Sequence, residues 1–304
     1  MMGLRISHPA WKWVVRASLL ALFVLGGSSV WAASETPQRI VSMAPSLTEI
    51  LFDLGTGDQV VGVTTFCDYP PEATNRPRVG GFYDPNYEVI VSLQPDLAVL
   101  LNSQDEAKSR LEKLGIRTIT VNHETIASVV DSITSIGDAV GAPAKAREIT
   151  DNMNRQLEFV KTQIEGLACP TVLVAIGRNM GSNAINDVFV AAPNSLYDEM
   201  LRRAGGKNAL EAGRALYPSV SLEGILKMDP EVVFDMVGDL PTTSGLSVEK
   251  IQTQWKSLEH IRAVKTGRVY VIEGTYALRP GPRLVLTIEK MARMLHPEAR
   301  WDSQ

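Results

Sequence analysis

The sequence has few cysteines and histidines and no long apolar run, and each of these features excludes or disfavours a class of protein. It holds 2 cysteines and 4 histidines in 304 residues, so a disulfide framework is excluded and a clustered site for bare zinc or manganese is not expected. No run of 18 apolar residues occurs, which excludes a polytopic membrane protein. The net charge of −4 argues against nucleic acid as a partner. The composition, with 45% hydrophobic and 21% charged residues, is that of a globular protein with a sizeable core.

Signatures of catalysis are also missing. The chain has no Gly-x-Ser-x-Gly elbow and no Walker-A loop. Gly55-Thr56-Gly57 follows a predicted helix rather than a strand, so it is interpreted as a helix end and turn. His123, His260 and His296 are scattered along the chain, and no nucleophile-base arrangement is recognisable. We therefore assign no catalytic residue and no catalytic cofactor.

The N-terminal 32 residues have the pattern of a secretory signal peptide. Arg5, Lys12 and Arg16 form a basic leader, an apolar stretch covers 17–30, and small side chains at Val30 and Ala32 suit cleavage after Ala32. The alternative is an uncleaved anchor, for which the apolar core is short. No cysteine lies near the predicted cleavage site, which argues against lipid attachment. The sequence therefore predicts an exported, periplasmic protein.

The two cysteines, Cys67 and Cys169, lie in different halves of the chain. An oxidising compartment favours a disulfide between them, but Cys67 lies in a predicted loop and Cys169 just before a predicted strand. Their pairing is left open.

Strands and helices alternate in the first half. Predicted strands at 39–43, 60–64, 96–101 and 117–121 are separated by helices at 46–54, 86–93, 105–114 and 126–140. The first helix begins with a capping-box pattern, Ser46-Leu47-Thr48-Glu49, and Asn86 is expected to cap the second. This alternation predicts an α/β fold with a mostly parallel sheet.

A long helix is predicted from Pro143 to Glu165. Its apolar residues recur every three or four positions and form one stripe; they are Ala146, Ile149, Met153, Leu157, Val160, Ile164 and Leu167. Its length favours a rigid connector between two lobes, and the alternative is a crossover helix on a single sheet. The predicted division is an N-terminal α/β lobe at 33–142, a connecting helix at 143–166 and a C-terminal α/β lobe at 167–304.

The second half repeats the alternation. Strands are predicted at 171–176, 231–236 and 268–272, and helices at 194–204, 221–228, 248–257 and 282–295. The two halves also share a local pattern. In each, a capped helix with a glutamate at its second position, Glu88 or Glu223, comes seven residues before a Pro-acid pair that opens an apolar strand. This repetition predicts two Rossmann-like lobes of similar topology.

Aromatic residues cluster in the predicted loops: Phe66, Tyr69, Phe82, Tyr83, Tyr217 and Tyr276. Ligands of parallel α/β sheets bind at the carboxyl ends of the strands, and flat aromatic side chains there suit a large, planar, partly apolar ligand. We expect about two of the six to serve packing alone.

The stretch Arg39–Leu51, with the sequence RIVSMAPSLTEIL, resembles the opening strand and helix of class III periplasmic binding proteins, which serve ABC importers of cobalamin, iron-siderophores and haem. Further matching stretches are Val60–Val63, Asp68–Ala73, Val79–Phe82, Asn86–Glu88, Pro95–Leu97 and Arg279–Arg283. Asp68-Tyr69-Pro70-Pro71 and the region of Phe82 are most similar to the cobalamin-binding branch. The resemblance implies two Rossmann-like lobes joined by one long helix.

The resemblance also implies site residues and partners. The corrinoid contacts fall on Phe66, Phe82, Tyr217 and a late loop that contains Thr275, Tyr276, Ala277, Leu278 and Arg279. Two further candidate contacts are Tyr83, from the loop aromatics, and Asn102, which with Arg279 is a donor for the polar edge of the ligand. Tryptophans expected at several of these positions are here Phe82, Tyr217 and Tyr276. One glutamate per lobe docks on a two-fold symmetric permease dimer in that family, and Glu88 and Glu223 are the matching positions. The expected protein is a monomer.

Alternative functions come from two classes. The alternative within transport is an iron-siderophore or haem receptor, since several loop tyrosines offer an axial ligand for haem. The alternative outside transport is an exported enzyme on the same scaffold. The missing nucleophile-base arrangement disfavours this alternative.

Overall fold

The structure is a computed structural model that contains two β-sheets flanked by helices. It describes residues 36–179, 185–213, 215–238 and 247–301, so the predicted signal peptide at 1–32 lies outside the described residues. From Pro37 onward, these described residues belong to one compact unit.

The first sheet has four parallel strands in the order β2-β1-β3-β4. Its strands are β1 (Ile40–Ser42), β2 (Val60–Val63), β3 (Leu97–Leu101) and β4 (Thr118–Val121). Along β3, Leu97 and Val99 belong to the hydrophobic core on one face, and Ala98 and Leu100 to the core on the other. A parallel sheet that is covered on both faces needs such continuous apolar strands, which confirms the predicted strands of the first half.

The helices of this half lie close to their predicted positions. They are α1 (Pro45–Asp53), α2 (Tyr87–Ser92), α3 (Asp105–Lys113), α4 (Ile126–Ala139) and the long α5 (Pro143–Ile164). The Asn86 side chain caps α2 by accepting a hydrogen bond from Val89 N at 3.1 Å, as predicted.

The prediction of a capping box at Ser46–Glu49 was wrong. Helix α1 begins one residue earlier, at Pro45, and its N-cap residue is Ala44, which makes no side-chain cap. Proline suits the first helical position because its missing N–H has no partner there in any case. Ser46 and Glu49 are thereby released from capping, and both make long-range contacts instead.

The second sheet is mixed. Its strands are β5 (Thr171–Arg178), β6 (Val188–Val190), β7 (Lys207–Asn208), β8 (Ser219–Val220), β9 (Val232–Val237) and β10 (Val269–Glu273). The order is β10-β9-β5-β6-β8, with β7 paired to β5. Strands β10, β9 and β5 are parallel, whereas β6 pairs antiparallel with both β5 and β8. The two sheets therefore share a parallel centre but differ at their edges.

Helices of the second half are α6 (Leu196–Arg203), α7 (Leu222–Met228), α8 (Val248–Trp255), α9 (Arg262–Lys265) and α10 (Leu284–Leu295). The Ser221 side chain caps α7 by accepting a hydrogen bond from Gly224 N at 3.4 Å. The glutamates predicted at the second helical position, Glu88 in α2 and Glu223 in α7, are found there.

Helix α5 is the longest, at 22 residues, or about 33 Å at 1.5 Å per residue. Its predicted apolar stripe faces α4, α6 and α10, which belong to both halves of the chain. Pro143 opens the helix, and Gly166 follows its end with φ of 75°, a conformation that favours glycine. Leu167, predicted as part of the stripe, lies beyond the helix end.

Candidate functional site

A cleft of about 940 Å³ lies at the carboxyl ends of the strands of both sheets. Its described lining consists of Ala44, Pro45, Ser46, Phe66, Asp68, Phe82, Leu101, Gly238, Thr275, Leu278, Arg279 and Pro280. The first seven follow or end β1, β2 and β3, and the last five follow β9 and β10. The expected location of the ligand site in a parallel α/β sheet thus coincides with this cleft.

Five of the predicted ligand contacts meet in this cleft. They are Phe66, Phe82, Thr275, Leu278 and Arg279. The Phe66 side chain is 68% exposed, which is unusual for an aromatic ring of this size. A ligand that covers the ring would remove a large apolar area from water.

The other five predicted contacts are not among the lining residues of the cleft. Tyr83 is 92% exposed and packs edge-on against Phe82, with 4.8 Å between ring centroids. Asn102 donates a hydrogen bond to Glu124 Oε1 at 3.2 Å.

Tyr217, also outside this lining, packs edge-on against Tyr197. Ala277 is buried, and the Tyr276 ring lies near the Arg283 guanidinium. Their roles as ligand contacts stay predictions.

The charged residues in the described lining pair with each other. Arg279 donates two hydrogen bonds to the Asp68 carboxylate, one from Nη1 to Oδ1 and one from Nη2 to Oδ2 at 2.9 Å. A two-pronged arginine-carboxylate pair is among the stronger ionic contacts in proteins. Arg279, predicted as a donor to the polar edge of a ligand, is therefore already held in place by a residue from the other half of the chain.

A second arginine pair lies beside the cleft. Arg283 donates from Nε to Glu49 Oε2 at 2.8 Å and from Nη2 to Glu49 Oε1 at 2.5 Å. Its guanidinium also stacks on the Tyr69 ring, with its carbon 3.5 Å from the ring centroid. The Glu49 side chain is 1% exposed. Burial raises the pKa of Glu49, and the hydrogen bonds and charge of Arg283 act in the opposite direction.

Ser46 and His123, which sequence reasoning did not connect, are in contact. Ser46 Oγ lies 3.1 Å from His123 Nδ1, and His123 Nε2 lies 2.9 Å from Ser132 Oγ. All three residues are buried. Burial lowers the pKa of His123 to about 4, so the ring is neutral near pH 7. The pair is a nucleophile-base contact in geometry, contrary to the expectation from sequence, but its base is weak and carries no carboxylate partner on Nε2.

Cys67 and Cys169 are both free thiols. Cys67 is buried, and its Sγ lies 3.1 Å from Thr48 Oγ1 and 3.0 Å from Thr64 Oγ1. Burial raises the pKa of its thiol, although these hydrogen bonds and the Arg78 charge oppose the shift. Cys169 is exposed.

Glu88 and Glu223 are exposed on the first turns of α2 and α7. Neither carboxylate has an ion-pair partner within the described parts of the chain. Three positions after each lies an exposed apolar residue, Val91 at 46% and Leu226 at 41%. Residues three apart share a helix face, so each glutamate is adjacent to an exposed apolar side chain.

The described residues contain no group of three or more His, Cys, Asp or Glu side chains placed to hold a metal ion. None of their helices combines the length and the apolar character needed to cross a membrane.

Comparison with known proteins places this chain in one family. The profile of the family described as periplasmic binding protein matches residues 40–276. An uncharacterised ABC transporter substrate-binding lipoprotein of Bacillus subtilis, YvrC, is 30% identical over 270 residues, covering 86% of this chain and 81% of YvrC. The vitamin B12-binding protein of Vibrio parahaemolyticus is 26% identical over 86% of this chain and 90% of its own length.

Solved structures that resemble this chain belong to periplasmic binding proteins as well, but one of them binds haem rather than vitamin B12. A periplasmic haem-binding protein from Pseudomonas aeruginosa is 26% identical to this chain, with a TM-score of 0.74, and the match covers 88% of this chain and 96% of that one. The chain therefore belongs to the periplasmic binding protein family of ABC importers, as the resemblance of its motifs implied.

Proposed function

We propose that the protein captures cobalamin or a related corrinoid in its cleft and delivers it to an ABC importer permease. The cleft carries this proposal. Its volume of about 940 Å³ lies at the upper end of the range for small-molecule sites, and its lining is mostly apolar, with phenyl rings from Phe66 and Phe82. Such a cleft suits a rigid macrocycle held by apolar contact.

The paired charges of the cleft favour a ligand with little net charge. Asp68 and Arg279 neutralise each other, so a ligand with several carboxylates would have to separate them or remain unpaired. The side chains of a cobalamin corrin ring end in uncharged amides, which do not require that separation. The similarity to the vitamin B12-binding protein supports the same ligand class.

The second candidate is haem or an iron-siderophore, which the similarity to the Pseudomonas haem-binding protein supports. A haem receptor usually offers a tyrosine or histidine as axial ligand. Tyr69, Tyr83, Tyr217 and Tyr276 lie outside the described lining of the cleft, and the Tyr69 ring is covered by the Arg283 guanidinium. His123 has both ring nitrogens in contact with serine hydroxyls. The described geometry thus favours the corrinoid.

The absorbance spectrum of retained ligand separates these candidates. The purified protein is incubated in parallel with cyanocobalamin, haem and a ferric hydroxamate, and each mixture passes through gel filtration. We expect a corrinoid spectrum to elute with the protein at about one ligand per chain. A Soret band with no retained corrinoid would instead support the haem receptor.

We propose that residues 1–32 are a cleaved signal peptide, that lobes at 33–142 and 167–304 are joined by helix 143–166, and that the mature monomer acts in the periplasm without catalysis. Glu88 and Glu223 then dock on the permease dimer. Their exposure at matching positions on α2 and α7 supports this role.

A further inference from the structure

The side-chain amide of Gln104 joins three segments at one rim of the cleft. Gln104 is 5% exposed and directly precedes α3. Its Nε2 donates to the carbonyl oxygen of Met43, which follows β1, at 3.0 Å and to that of Phe82 at 3.2 Å. Its Oε1 accepts a hydrogen bond from the backbone N–H of Leu101, the last residue of β3, at 3.0 Å. One buried side chain thus connects the ends of β1 and β3 to the segment that carries a phenyl ring of the cleft.

The backbone partners determine the direction of these three hydrogen bonds. A carbonyl oxygen can only accept, and a backbone N–H can only donate. If the oxygen and nitrogen of the Gln104 amide were exchanged, an oxygen would face two carbonyl oxygens and an NH2 group would face the Leu101 N–H. The observed orientation uses both amide protons and the amide oxygen. Rotation of this amide would leave buried polar groups without partners, which is costly, so the side chain is firmly held.

The position of Phe82 shows why its segment needs such a support. The loop at 80–85 is closed at its base by a backbone hydrogen bond from Asn86 N to Val79 O at 2.8 Å. Phe82 lines the cleft and also a second cavity of about 220 Å³, which Gln104 lines too. The half-buried ring therefore borders open space in both cavities, and packing restrains it only in part. The hydrogen bond from Gln104 holds the backbone of the loop at the residue that carries the ring.

We propose that Gln104 is a positioning residue for ligand binding, which holds the Phe82 ring in the place where the ligand contacts it. Gln104 does not belong to the described lining of the cleft, so it acts through Phe82. A contact surface that is held in place before binding loses less conformational freedom when the ligand arrives. This inference rests on the proposed function in one respect, namely that Phe82 contacts the ligand.

A double-mutant cycle with Phe82 tests this role. Gln104→Met keeps the length of the side chain and removes all three hydrogen bonds. We expect it to weaken cyanocobalamin binding about fivefold in calorimetry, because the ring is no longer held in place. In Phe82→Ala protein the backbone carbonyl remains but the ring is gone, so Gln104→Met should weaken binding there by less than about twofold. The melting temperature should fall by the same amount in both backgrounds, because the same three hydrogen bonds are lost.

Asn208→Leu is the matched control. Asn208 is a buried amide in the second half of the chain, and its Nδ2 donates to Ala191 O at 3.0 Å while its Oδ1 accepts from Leu210 N at 3.0 Å. We expect Asn208→Leu to lower the melting temperature without changing cyanocobalamin affinity. If Gln104→Met does not fold, Gln104→Glu provides a milder variant, because it replaces the two N–H donors and keeps the oxygen that accepts from Leu101.

Three results of the cycle would overturn the inference. They are an unchanged affinity in Gln104→Met, an equal loss of affinity with and without the Phe82 ring, and an equal loss in Asn208→Leu. The last of these would assign the effect to general destabilisation rather than to the position of one ring.

Fluorine NMR of the free protein keeps this test separate from the proposed function. The protein is labelled with para-fluorophenylalanine, and the Phe82 signal is assigned by its absence in Phe82→Leu. We expect a sharp Phe82 signal in the wild type and in Asn208→Leu, and a shifted, broadened signal in Gln104→Met. An unchanged signal in Gln104→Met overturns the positioning role whatever the ligand is. Failure of the wild type to bind any corrinoid overturns the proposed function, while the NMR result still decides whether Gln104 positions the ring.

Discussion

Glu49 and Arg283 lie 234 positions apart in the chain and form a two-pronged ion pair, with donor-acceptor distances of 2.8 and 2.5 Å. Glu49 belongs to α1 in the first half, and Arg283 directly precedes α10 in the second. Together with the Asp68-Arg279 pair, this contact holds the first half of the chain against the segment at 279–283, whose first two residues line the cleft.

Removing one partner of the Glu49-Arg283 pair should be strongly destabilising. Glu49 is nearly fully buried, and Arg283→Leu would leave its carboxylate without a partner. We expect the free energy of unfolding to fall by about 3–5 kcal/mol, measured by urea denaturation. The double variant Glu49→Leu with Arg283→Leu should recover most of this loss, because no charge then stays buried. Equal losses in the single and double variants would contradict this account.

The local elements of the fold were predictable because their signals are local. The long helix could be predicted from the spacing of Ala146, Met153 and Val160, all buried on one face. Asn86 and Ser221 could be assigned as caps from their position before a periodic segment. Strands β6, β7 and β8 were missed because they have only two or three residues each, too few to show a period.

The cleft was only partly predictable, because its polar contacts join distant positions. Phe66 and Phe82 could be proposed from aromatic residues at strand ends. The Asp68-Arg279 contact spans 211 positions and Ser46-His123 spans 77, and no local pattern connects such pairs. The contact of Ser46 was also hard to predict because Ser46-Leu47-Thr48-Glu49 has the pattern of a capping box. In the structure the helix instead begins at Pro45, so Ser46 does not cap it.

Burial of His123 should make stability depend on pH. Its pKa is about 4 in the folded protein against an ordinary value of 6.5, so the unfolded chain binds the proton more strongly between these values. Stability from this residue is complete above about pH 6.5 and is lost as pH falls toward 4. Between pH 7.5 and 5 we expect a loss of about 2 kcal/mol, measured by urea denaturation at each pH. His123→Phe should remove this part of the slope; an unchanged slope would assign it to other groups.

The two thiols should react at very different rates. Cys169 is exposed, whereas Cys67 is buried and its thiol pKa is raised by burial, which lowers the thiolate fraction that reacts. A chromogenic disulfide reagent should therefore titrate one thiol in the native protein and two in denaturant. Cys169→Ser should abolish the native reaction, and Cys67→Ser should leave it unchanged. Two fast thiols in the native wild type would contradict the burial of Cys67.

The phenyl rings of the cleft should contribute directly to corrinoid binding. Loss of one ring that covers a macrocycle is expected to cost about 1–3 kcal/mol, by analogy with bases stacked on aromatic side chains. Phe66→Ala and Phe82→Ala should each weaken cyanocobalamin binding about tenfold or more in calorimetry. Phe189→Ala is the matched control, because Phe189 is half-exposed on β6 and does not belong to the described lining. Wild-type affinity in both cleft variants would remove these rings from the site.

Docking through Glu88 and Glu223 should be separable from ligand binding. Both side chains are exposed and lie outside the described cleft lining, so Glu88→Ala with Glu223→Ala should change neither corrinoid affinity nor melting temperature appreciably. Each carboxylate stands beside an exposed apolar residue, Val91 or Leu226, and matching patches of this kind suit a two-fold symmetric permease surface that carries basic groups.

The measurement is corrinoid uptake by cells that lack their own binding protein. We expect the double variant to abolish uptake and each single change to give an intermediate rate, because one of two docking contacts remains. Glu72→Ala with Glu259→Ala is the matched control, since these exposed glutamates lie one in each half of the chain and belong to neither α2 nor α7. Normal uptake by the Glu88 and Glu223 double variant would refute the docking role. Loss of uptake in the control pair as well would show that general negative charge, rather than these two positions, is required.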